Sequence, residues 1–97
     1  MKREEYIDTM SKRLKEWSVK LDELAVQIGT AGADMKSAYE QRIRDIKAKR
    51  DILSQKLQEL RSSSGDAWKT LTAGVDNAWD EFKDAFRSAA DKFKKAA

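Results

Sequence analysis

Residues 66–97, DAWKTLTAGVDNAWDEFKDAFRSAADKFKKAA, are one unit of eleven residues written three times, and their periodicity decides the fold. The copies are DAWKTLTAGVD (66–76), NAWDEFKDAFR (77–87) and SAADKFKKAA (88–97), the last one residue short. Trp68 returns as Trp79, Leu71 as Phe82 and then Phe93, Val75 as Phe86, and Ala67 as Ala78 and Ala89. Eleven residues make three helical turns at about 3.67 residues per turn, so these apolar side chains stay on one side of a nearly straight helix. Residues 66–96 are therefore predicted to form a long amphipathic helix. Its candidate interaction face is Trp68, Leu71, Val75, Trp79, Phe82, Phe86 and Phe93.

A face of this kind must be covered, and the sequence upstream carries two narrow stripes that can cover it. Across residues 3–28, Ile7, Met10, Leu14, Trp17, Leu21, Leu24 and Ile28 recur at alternating intervals of three and four, the heptad seam of a helix that packs on another helix. Glu4, Glu5 and Asp8 sit where the helix dipole favours acids. Gly29-Thr30-Ala31-Gly32 interrupts the pattern, since two glycines inside a helix would cost roughly 2 kcal/mol relative to alanine. Asp34 is placed as the N-cap of a second helix, 34–61, whose seam is Tyr39, Ile43, Ile46, Arg50, Leu53, Leu57 and Leu60.

Folding back about residues 33–34 sets Ile28 against Tyr39, Leu24 against Ile43, Leu21 against Ile46, Trp17 against Arg50 and Leu14 against Leu53. Arg50 then either stacks on the Trp17 indole, for something like 0.5–1 kcal/mol, or extends outward along its aliphatic stem. Ser62-Ser63-Ser64-Gly65 reads as a second turn, with Ser63 and Asp66 spaced as a capping box. A second fold-back there sets Leu53 against Val75, Ile46 against Phe82 and Tyr39 against Ala89.

The expected fold is all-α: antiparallel coiled-coil helices in an up-down-up three-helix bundle, a single domain of 97 residues with helices about 3–28, 34–61 and 66–96. A 38% charged composition with no proline and four glycines belongs to such a fold. The alternative is one long helix over 3–61, its seam running on through Ile28, Ala31, Met35, Tyr39 and Ile43 as a stutter, with helix 66–96 in a swapped antiparallel dimer.

Chemistry is sparse. The chain has no histidine and no cysteine, which removes the imidazole base, the thiolate, the usual zinc set and any disulfide. No phosphate-cradling glycine loop is present, and paired acids such as Glu4-Glu5 and Asp80-Glu81 read as solvated helix faces. An enzyme, a cofactor, a metal site and a small-molecule substrate are not expected. The net charge of +3 arises wholly within residues 32–65, where eight Lys and Arg meet five Asp and Glu. That excess is too small and too interleaved with acids for a sequence-specific nucleic-acid partner. Charges near the N-terminus stand where a signal peptide needs an apolar run, so a cytoplasmic protein is expected.

The aromatic face of residues 66–97 has two readings: the third wall of a core, or a surface that enters the headgroup boundary of a membrane with Lys83, Arg87, Lys94 and Lys95 on its polar side. In the second respect the repeats resemble the amphipathic helices of exchangeable apolipoproteins. EEYIDTM, DMKSAYEQRIRDIKAKRD and above all SSSGDAWKTLTAGVDNAWDEF resemble a family of small bacterial proteins described as coiled-coil-domain-containing or stress-response proteins. This resemblance implies a helical shape and a stress association and supplies no catalytic or ligand residue. The expected function is that of a non-enzymatic coiled-coil structural or interaction protein acting through self-association. Its seam residues would be Leu14, Trp17, Leu21, Leu24, Ile43, Ile46, Arg50 and Leu53. The runner-up is a peripheral membrane or lipid binder using residues 66–97.

Overall fold

A computed structural model describes residues 2–96: α1 (Arg3–Gly29), α2 (Ala33–Arg61), a 3-10 turn (Gly65–Ala67) and α3 (Trp68–Ala96). Ala97, the last residue of the third repeat, lies outside the described residues. The three helices form the up-down-up bundle, a rod 50 × 18 × 18 Å. A 29-residue helix accounts for roughly 44 Å of that length at about 1.5 Å per residue. The chain turns at residues 30–32, so the continuous 3–61 helix is not the observed arrangement.

Among the described residues every buried one is hydrophobic, and the buried set follows the three stripes: Met10, Leu21, Leu24 and Ile28 from α1, Tyr39, Ile43, Ile46, Leu53, Leu57 and Leu60 from α2, Val75, Ala78, Trp79, Phe82, Ala89 and Phe93 from α3. Residues between the stripes face water, as Val19 does at 52% exposure. Groove linings set Leu14 beside Ser54 and Leu57, and Ile28 beside Glu40 and Ile43, within about one helical turn of the expected α1–α2 rungs.

The helix ends depart from expectation. α2 starts at Ala33 behind Gly32, which has no side-chain cap, so Asp34 lies in the first turn, where it complements the dipole instead of capping. The Ser63–Asp66 capping box does not form. The Ser63 hydroxyl donates instead to the Leu60 carbonyl (2.7 Å), satisfying an orphan acceptor at the end of α2, and α3 begins only at Trp68. Tyr39, expected against Ala89, meets Phe93 edge-on with centroids 5.5 Å apart. A helical side chain leans toward the N-terminus of its own helix, and that end of α2 lies beside the end of α3 that carries Phe93.

The backbones of α2 and α3 approach most closely, while α1 stands further from α3 than from α2. Residue size explains the asymmetry. α3 turns its small residues toward α2: Ala85 and Ala89 share a groove with Ile46 and Lys49, and a methyl group added at Gly74 would lie 3.8 Å from the Lys56 ammonium. That distance is ordinary contact. Gly74→Ala is therefore expected to stabilise the bundle by about 0.5–1 kcal/mol through helix propensity alone, read as a raised urea midpoint at unchanged slope.

Candidate interaction face

The eleven-residue repeat gives α3 two edges. One carries the small residues against α2. The other carries the rings, and these meet α1. Trp17 of α1 lies edge-on to Trp79 (5.4 Å between centroids), Phe86 (5.2 Å) and Phe82 (6.3 Å), and Tyr6 lies edge-on to Trp68 (5.6 Å). Such edge-to-face pairs add about 0.5–1.5 kcal/mol each beyond the area they bury. Bulky rings also hold the two backbones apart, which accounts for the wider α1–α3 separation.

Of the predicted face, Val75 and Phe82 are fully enclosed, Trp79 and Phe93 are buried, and Trp68, Leu71 and Phe86 are half-buried at the rim. Among the seam residues Leu21, Leu24, Ile43, Ile46 and Leu53 are buried, while Leu14 and Trp17 are half-buried against the same core. Arg50 does not stack on Trp17. Its guanidinium pairs with Asp51 (3.3 Å), and the cations over Trp17 are Lys20 (4.7 Å) and Arg87 (5.8 Å). Trp17 has turned toward α3, where its indole gains three aromatic neighbours.

Two polar contacts close the end of the bundle where α1 begins. The Arg3 guanidinium donates to the carbonyls of Leu60 (3.1 Å), Arg61 (3.1 Å) and Ser63 (2.6 Å), and sits 5.6 Å from the Trp68 ring. A cation there satisfies terminal acceptors of α2 and complements the negative end of its dipole. The Tyr6 hydroxyl donates to the Asp76 carboxylate (2.5 Å), tying α1 to α3. Neither contact is evident from the stripes. The available signal was the fold-back register, which sets Arg3 opposite the serine turn and leaves Tyr6 on the flank that faces α3.

Burial, and then the hydrogen bond to Asp76, pushes the Tyr6 hydroxyl well above its ordinary value near 10. The folded state thus favours the neutral phenol. That contribution to stability is complete below the unfolded value and is lost as pH rises from about 10 toward the raised folded one. The melting temperature of the wild type should fall more steeply above pH 10 than that of Tyr6→Phe, which has no proton to lose; parallel profiles would count against the contact.

Among the described residues no side-chain oxygen or nitrogen is buried without a partner, and no group of acids has the grouping of a metal site. Among the described residues no helix is long and apolar enough to cross a membrane. What the arrangement offers chemically is helix surface: rings roofed by cations along the α1–α3 edge, and an outer face of ion pairs such as Lys36–Glu40–Arg44 (3.9 and 3.8 Å) and Asp80–Lys83 (3.7 Å). Comparison with protein-family models, curated proteins and solved structures returns no match to this chain. The family likeness of residues 62–82 draws nothing from them.

Proposed function

We propose that this chain is a non-enzymatic helical interaction protein that works by self-association through its helix faces. The observation that carries this is the division of the molecule into three apolar seams and a solvated, largely charged surface on which Val19, Val26 and Ile52 are also exposed, with no buried polar or charged side chain among the described residues. Seams of this type recognise other helices by packing. A stress-associated setting in a bacterium is supported by the resemblance of GDAW and AGVDNAW. Light-scattering mass and a thermal melt at several concentrations test the function: an assembly gives a mass above 11.1 kDa and a melt that rises with concentration. A concentration-independent monomer would overturn it.

Membrane binding is the second reading, and the placement of α1 favours it. The rings of α3 are covered by α1, so departure of that one helix would expose Trp68, Trp79 and Phe86 beside Arg87 while leaving α2 and α3 paired. In this route the helix that moves is α1. Blue-shifted Trp emission and co-flotation with anionic vesicles at physiological salt would place this reading first; unchanged emission would remove it.

A further inference from the structure

We propose that two copies of the chain exchange their α1 helices through a straightened 30–32 turn, each α1 docking on α2 and α3 of the other copy. This rests on the self-association above and supplies its interface, its partner and its number, two.

The turn is built so that it can straighten. Thr30 has φ −92° and ψ −6°, already near the helical region, and Gly32 has φ −59° and ψ 157°, helical in φ and extended only in ψ. No described residue, glycine included, has a positive φ. The two glycines are therefore not there for a left-handed turn, and their effect is to weaken a helix that would otherwise continue. A methyl group at Gly29 or Gly32 would meet nothing within 4 Å, and Gly32 has no side-chain cap to hold the start of α2. The seam also runs through the turn: Ala31 and Met35 pack half-buried on the core between Ile28 and Tyr39.

Straightening joins α1 and α2 into one helix from Arg3 to Arg61, which cannot cover its own seam. α1 and α2 have 27 and 29 residues, so α1 of one copy covers α2 of the other from end to end. Each contact of α1 is then remade between copies: Arg3 on the carbonyls that end α2, Tyr6 on Asp76, Trp17 on Trp79 and Phe86. Near the two-fold axis the register that pairs Ile28 with Tyr39 sets Gly32 of one copy beside Met35 of the other. These are contacts that the hairpin does not have.

The chain has no cysteine, so a pair can be introduced without interference. Ser11→Cys with Gln58→Cys places one thiol on each wall of the groove between α1 and α2. A short bis-maleimide then joins the pair within a chain in the hairpin and between chains in the exchanged dimer, and a denaturing gel separates the products. The expected result is an interchain product together with a sedimentation mass of two chains. Gly32→Ala should raise the association constant by about thirtyfold, because the helix penalty of glycine is lifted in both chains. Gly32→Pro, whose ring suits the observed φ but breaks a continuous helix, should return the mass to one chain and the crosslink to intrachain. A dimer whose crosslink stays intrachain would overturn the exchange and leave self-association standing. A monomer in both the wild type and Gly32→Ala would overturn both.

Discussion

Phe82→Ala is expected to lower stability by about 3–5 kcal/mol, the cost of truncating a fully buried Phe. For a domain of this size that corresponds to a fall in melting temperature of at least ~12 °C. Phe82 is wholly enclosed and forms a three-ring cluster with Trp17 of α1, at 6.3 Å, and Trp79, at 6.0 Å. The cavity left by its ring would touch all three helices. α2 and α3 already meet through small residues and cannot close further to fill it, so relaxation offsets little of the loss. Two tryptophans line the vacated space, and a red shift of emission should accompany the lower melt. A cost under about 1 kcal/mol would mean that α3 is not the wall of the core.

The second large effect separates the seams from the surface. Leu53→Ala and Leu21→Ala should each cost about 2–5 kcal/mol, since both side chains are enclosed on facing helices and deletion removes buried methylenes without a way to refill the space. Val19→Ala, at a site 52% exposed and off the stripe, should stay within about 0.5 kcal/mol. Urea unfolding of the three variants decides the point. Equal losses would mean that the three-and-four spacing assigned to α1 has the wrong phase.

Three helices and their order are legible in the sequence because burial leaves a periodic trace. Leu21, Ile46, Leu53 and Phe82 could be placed without coordinates, since an apolar residue every three or four positions has only one economical explanation. The destination of Trp17 could not. A heptad position says that a side chain points inward, but in a three-helix bundle inward includes two neighbours, and the choice between Arg50 on α2 and the rings on α3 depends on relative helix distances that the stripe does not encode. Helix ends were equally opaque. Asp34 and Ser63 had the residue types of caps, yet a cap depends on backbone dihedrals at one residue, and those are set by where the packed rods happen to stop. Arg3 was hidden for another reason: a long flexible cation near the start of the chain has many possible acceptors, and only the finished fold brings the end of α2 within its reach.

The unequal spacing of the helices has a kinetic meaning as well. α2 and α3 meet through small residues, so their hairpin closes with few rotamers to order. Docking α1 against α3 joins segments more than sixty residues apart and requires Trp17, Trp79 and Phe86 to find mutually compatible rotamers. A hairpin of α2 and α3 should accordingly be the nucleus, with α1 adding late. In native-state hydrogen exchange the amides of α1 would then open as a unit below the global unfolding free energy, while those in the middle of α2 and α3 exchange only when the whole molecule unfolds.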